Sequence, residues 1–98
     1  MPMELLTHGG NWSMVLEGVM DIFDVATVHA AAVDAVVGAP EGVTVMLGGV
    51  TVIDTAVTQV LLALKAALAA SGRTCVLDEV PPSVLETWTL AGLAPALT

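Results

Sequence analysis

The residues of this sequence that could do chemistry concentrate at one junction, Ile53-Asp54-Thr55-Ala56. An acid followed by a hydroxyl residue at the entry of a helix has two uses. A helix leaves its first N–H groups without intrahelical partners, and a side-chain oxygen of Asp54 or Thr55 could accept from them. The Thr55 hydroxyl could instead carry a phosphoryl group, whose charge suits the positive end of the helix dipole. The flanking residues place the junction. Val50 to Ile53 is β-branched and apolar apart from Thr51, which suits a buried strand or its tail. From there Val57, Val60, Leu61, Leu64 and Leu68 form one stripe of a 3.6-residue helix. Thr58, Leu62 and Lys65 lie off that stripe, so Thr58 and Leu62 are candidate partner contacts.

No other group of residues has the spacing of a reactive site. His8 and His29 stand far apart with no Cys or Glu at ligand spacing, so no metal site is expected. Gly48-Gly49 lacks the Lys-Ser/Thr that completes a phosphate-binding loop. Cys75 is the single cysteine, which rules out an internal disulfide, and its apolar setting points to a core thiol. No nucleophile is paired with a base, and no motif calls for a cofactor. A small enzyme is the weakest reading.

Ten acidic residues oppose only Lys65 and Arg73, giving a formal net charge of −8. That balance repels phosphate backbones and anionic lipid surfaces, which argues against nucleic acid and for a protein partner. Ninety-eight residues, 56% of them hydrophobic and only three aromatic, make one aliphatic core and one domain spanning 1–98. The longest apolar helix stretch, Val60 to Ala70, is too short for a membrane span and contains Lys65. With Glu4 and no early Lys or Arg there is no secretory pattern, and a soluble cytoplasmic protein is the expectation.

The elements that must hold the junction follow in chain order. Met3–Leu6 and Trp12–Glu17 read as two strands joined in a hairpin at His8-Gly9-Gly10-Asn11, and Gly18 then breaks the chain. Asp21 and Asp24 offer caps for a helix over Val25–Val37, with Val28, Ala31, Ala32 and Ala35 on its inner face. Gly38 to Gly42, with Pro40, ends it. Val43–Leu47 reads as a strand covered on both faces. The junction helix runs to about Ala70 and stops at Ser71-Gly72, and Arg73–Leu77 is the next strand. Ser83 and Glu86 form a capping-box pattern for a third helix presenting Val84, Leu85, Trp88 and Leu90. Trp12 and Trp88 are core or rim anchors. Leu93–Thr98 has room for at most one more helical turn. Strands separated by helices predict parallel pairing, so the fold class is α/β, with an antiparallel opening hairpin.

Several segments together resemble the STAS domain family, found in sulfate transporters and anti-sigma factor antagonists. Gly18-Val19-Met20-Asp21-Ile22-Phe23-Asp24-Val25-Ala26 is similar to the element that precedes that family's first helix. Val43-Thr44-Val45-Met46-Leu47 and Val50 to Ala56 are similar to its core strand and Asp-Ser/Thr loop. Ala70 to Leu77 resembles its helix-to-strand return, and Pro82-Ser83-Val84 with Leu90-Ala91-Gly92-Leu93 its last ordered motif. The resemblance spans nearly the whole chain in the right order. It implies a mixed sheet of about four to five strands packed with three to four helices. Two features depart from the family: Val57 replaces a glycine two residues after the hydroxyl, and the C-terminal tail is short.

The resemblance also implies a function. In the antagonist branch the hydroxyl after the Asp is phosphorylated by a serine/threonine kinase of histidine-kinase-like fold, and the modified protein leaves its partner. By position Thr55 is the acceptor, Asp54 its neighbour, and Asp21 a carboxylate brought beside them. The chain is then a bacterial signalling module acting on a kinase or anti-sigma factor in a sigma-factor, stress or chemotaxis-type pathway. The alternative is a constitutive subunit on the ATPase of a phospholipid-transporting ABC complex, with Thr55 a contact. An exposed sheet edge is also compatible with a homodimer.

Overall fold

The computed structural model describes residues 3–7 and 9–97. His8, expected in the first turn, and Thr98, expected in the tail, lie outside the described residues. Four strands form one sheet in the order β1 (Met3–Leu6), β2 (Asn11–Met20), β3 (Gly42–Ile53), β4 (Thr74–Asp78). β1 runs antiparallel to β2, whereas β2–β3 and β3–β4 are parallel. A short 3-10 turn (Ile22–Asp24) leads into α1 (Val25–Gly38), which carries the chain from β2 to β3. Helix α2 (Thr55–Ala70) connects β3 to β4, and α3 (Pro82–Leu90) and the single turn α4 (Ala94–Leu97) follow. This is the α/β architecture that the alternation of elements implies, with four strands and four α-helices among the described residues.

The helices cover one face of the sheet. Leu5, Met14, Val45 and Leu77 stand side by side across all four strands, Met14 and Val45 fully buried. On the other face the row Leu6, Ser13, Thr44 and Val76 is exposed or half-buried. Val43–Leu47 was expected to be covered on both sides. Its pattern is alternating instead, with Val43, Val45 and Leu47 buried and Thr44 and Met46 only partly so. The cause is the packing of both crossover helices against the same face, where α1 and α2 touch each other.

Helix α1 buries Val28, Ala31, Ala32 and Ala35, the four residues whose spacing marks its inner face. Helix α2 buries Val57, Leu61, Leu64 and Leu68 and leaves Val60 half-covered. It ends where the N–H of Gly72 donates to the Ala69 carbonyl and that of Arg73 to the Leu68 carbonyl.

Three expectations need correction. Gly18 does not break the chain after β2, and Gly48-Gly49 does not interrupt β3; both lie inside continuous strands. β3 takes up one more residue than β2 between Val15 and Glu17, and another between Gly18 and Val19. Such bulges bend a strand without ending it, and their position depends on the partner strand. One consequence is that Val52 is exposed although it belongs to an apolar run. The Ser83–Glu86 capping box is also absent. Helix α3 starts two residues earlier than a Ser83 cap would place it, at Pro82, which needs no N–H acceptor in the first turn. Of its four apolar residues only Val84 and Trp88 are buried; Leu85 and Leu90 are exposed.

Candidate functional site

Strands β2 and β3 end together, with Met20 paired to Ile53. The next residue on each strand is an aspartate, and each aspartate caps the helical segment that follows. This brings Asp21 and Asp54 to the same end of the sheet, outside the carboxyl ends of parallel strands, where open α/β sheets place their sites. A backbone bond closes the arrangement: the Asp54 N–H donates to the Met20 carbonyl at 3.0 Å.

The two caps work differently. Asp54 Oδ1 accepts from the Val57 N–H at 3.1 Å, so the acid and not Thr55 caps α2. Asp21 Oδ1 accepts from the Phe23 N–H at 3.0 Å, while Asp24 Oδ2 accepts from the Asp21 N–H at 2.9 Å. These reciprocal bonds form a capping box around the single turn Ile22–Asp24. The turn lies against the start of α2.

With Asp54 as cap, Thr55 becomes the first residue of the helix proper and is exposed. No acceptor or donor among the described residues engages its hydroxyl. Its neighbour one turn on behaves oppositely. Thr58 was expected on the contact patch, but its side chain is 2% exposed and built into the interior. Its hydroxyl donates to the Asp54 carbonyl at 2.8 Å and accepts from the Trp88 indole N–H at 3.0 Å. The indole needs an acceptor when buried, and α2 supplies it. Thr58 thus ties the first turn of α2 to α3 and presents almost no surface to a partner. Leu62 is half-buried and packs against the core, so it offers only part of its surface.

Two residues at this end were missed by pattern. Ile22 and Phe23 are 61% and 89% exposed beside Asp21, although apolar residues in a strand-to-helix link usually turn inward. The available sequence cue was the Asp21-x-x-Asp24 spacing, which fixes a one-turn segment too short to bury both.

The remaining expectations for reactive groups can be placed. Among the described residues no three His, Cys, Asp or Glu side chains converge as a metal site. Cys75 is half-buried on β4 and packs against the core. Burial pushes its thiol above the ordinary value, with Lys65 pulling weakly the other way. A protonated thiol is a poor nucleophile. A groove of about 220 Å³ between α1 and α2 lies along Val33, Val36, Val60 and Leu64, with His29 its one titratable group. No described helix is long and apolar enough to cross a membrane.

The sequence profile of the family described as "Mlab, STAS domain" matches residues 6–98. The chain belongs to the STAS domain family. The structure agrees with this assignment at the level of fold. The anti-sigma factor antagonist SpoIIAA in its unphosphorylated form superposes with a TM-score of 0.82 at 18% identity, over 98% of this chain and 85% of that one. The phosphorylated form of SpoIIAA, described as a Bacillus cell fate determinant, gives 0.78 at 18% identity over 98% and 88%. A Thermotoga maritima protein described as a candidate anti-sigma factor antagonist gives 0.84 at 13% identity over 98% and 83%. No curated protein matches the sequence. In this STAS domain, then, the Asp54-Thr55 pair occupies an exposed helix start at the carboxyl end of the parallel strands.

Proposed function

We propose that the chain is a non-enzymatic regulatory module that binds a protein partner through the end bearing Asp21, Asp54 and Thr55, and that Thr55 controls the contact by phosphorylation. The observation that carries this reading is the exposed, unengaged hydroxyl of Thr55 at the first position of α2. The Asp54 carboxylate already caps the Val57 N–H, so modification of Thr55 breaks no side-chain hydrogen bond among the described residues. Phosphorylation adds roughly −1.5 to −2 charges and three acceptor oxygens. Next to Asp54, at the end that also bears Asp21, that charge would need its hydration, and a close protein contact would strip it away. Binding by the unmodified form and release of the modified form follow. The structural relative SpoIIAA is known in both an unphosphorylated and a phosphorylated form. A kinase or anti-sigma factor in bacterial signalling is the partner class this reading names.

The second reading is a constitutive subunit on a transporter ATPase, with Thr55 a plain contact. The observation that favours it is Val57, which stands where the STAS family usually carries a glycine and whose side chain is fully buried.

One experiment separates the two: intact-mass analysis of the protein from its native cells, with fragmentation across Ile53 to Thr58. The switch predicts a phosphoryl adduct on Thr55 under at least one growth or stress condition. Its absence under all of them removes the switch and leaves the constitutive subunit.

A further inference from the structure

Phe23 is the one phenylalanine of a chain with only three aromatic residues, and it is 89% exposed. Trp88 is buried at 1% and Trp12 packs against the core, so the other two serve the fold. Phe23 does not, and neither does the adjacent Ile22 at 61% exposure. We propose that Phe23, supported by Ile22, is the anchor of the partner contact, and that the partner offers an apolar pocket bordered by Lys or Arg. This inference rests on the binding-module reading above and names the chemistry of the partner at that same end.

Three observations carry it. The first is rigidity. The Phe23 N–H is held by Asp21 Oδ1 at 3.0 Å, the Asp21 N–H by Asp24 Oδ2 at 2.9 Å, and the Asp24 N–H by the Asp21 carbonyl at 3.0 Å. A backbone pinned at both ends of the turn presents the ring with little ordering left to lose on binding. The second is position. Phe23 follows Met20 by three residues and Thr55 follows Ile53 by two, and Met20 and Ile53 are paired. Aromatic side chains, Phe among them, are enriched in the buried core of protein interfaces.

The third is charge. Asp21 and Asp24 bracket the anchor and Asp54 stands beyond them. The chain's two cations are placed elsewhere. Arg73 donates to the Ala39 carbonyl and the Ser71 hydroxyl past the far end of α2, and Lys65 lies in the third turn of that helix. Among the described residues, then, no Lys or Arg neutralises the acids around the anchor. A second copy would bring the same acids against these, so self-association through this end is disfavoured. A cation-bordered pocket is the complement. The dry contact around the ring also gives Thr55 its leverage, because a phosphate beside it would have to be desolvated.

The test uses the full chain in its native cells, with p-benzoylphenylalanine incorporated at Phe23 or, for comparison, at Leu90, which is 82% exposed on α3. Irradiation is expected to give an adduct to one protein from position 23 and none to that protein from position 90. The protein identified from the adduct is then purified and titrated with wild type, F23A, F23L and T55E. F23A is expected to weaken binding about ten- to a hundredfold, F23L to lose much less, and added salt to weaken the wild type. Melting of F23A should match the wild type, since the ring supports no packing. Wild-type affinity in F23A overturns the anchor, even where T55E abolishes binding and the switch survives. Loss of binding in F23A with full binding by T55E keeps the anchor and removes the switch. No adduct from position 23, or an adduct only to a second copy, also overturns the anchor.

Discussion

The two ends of the parallel strands are built by opposite rules. At the amino ends, backbone meets backbone. The Glu41 N–H donates to the Gly10 carbonyl at 2.9 Å and the Thr74 N–H to the Glu41 carbonyl at 3.2 Å, while Gly42 pairs with both Asn11 and Thr74. Small residues make this approach possible, and Arg73 bridges to the Ala39 carbonyl at 2.8 Å. At the carboxyl ends one backbone bond, from the Asp54 N–H to the Met20 carbonyl, joins the strands, and beyond it side chains take over. Two aspartates cap two helical segments, and Thr55, Ile22 and Phe23 are left in solvent. One end holds the sheet together and the other holds side chains out. Substitutions that damage stability should therefore cluster at the first end, and those that damage recognition at the second.

The largest effect is expected at Gly42. Its φ of +141° is one that side-chain-bearing residues rarely adopt, and a Cβ there would overlap the Thr74 carbonyl oxygen. Strain and overpacking each cost about 1–3 kcal/mol, so Gly42→Ala should destabilise by about 2–5 kcal/mol. Urea unfolding would show it as a lowered midpoint with an unchanged slope. A wild-type midpoint would mean that the amino end is not the closed one.

Thr58→Val sharpens the contrast from inside the second end. The substitution keeps the shape but leaves the Trp88 indole N–H without its acceptor in a buried site. Stability should fall by about 1–3 kcal/mol, and Trp88 fluorescence should report the change. Thr55→Val, three residues earlier, should change stability by less than about 0.5 kcal/mol. Equal effects at the two threonines would show that the carboxyl end has no division between held and free hydroxyls.

These two threonines also show what the sequence could and could not disclose. The Asp54-Thr55 junction was readable because helix capping is local: a β-branched run, an acid, then a 3.6-residue stripe. Val28, Ala31, Ala32 and Ala35 were readable for the same reason. The burial of Thr58 was not readable, because it depends on Trp88, thirty residues away on another helix. A polar residue beside the stripe looks like surface until its partner is placed. Continuity of β3 through Gly48-Gly49 depended likewise on where β3 bulges against β2. Phe23 was hidden by the opposite bias, since an apolar residue is assigned to the core unless a tight turn forbids it. The resemblance to STAS domains fixed the order of elements but carried no information on these contacts.

A smaller loss of stability than at Gly42 or Thr58 is expected at the cap itself, which separates the roles of adjacent residues at the site. Asp54→Ala removes the acceptor of the Val57 N–H and should cost about 1 kcal/mol. Asp54→Asn keeps an oxygen in reach and should recover most of that loss, while removing the charge. If partner binding falls in Asp54→Asn although stability returns, the carboxylate acts on the partner as well as on the helix. If binding follows stability through both variants, Asp54 only positions Thr55. In that case the recognition end depends on Phe23, Ile22 and the Thr55 hydroxyl, with the aspartates serving as its scaffold.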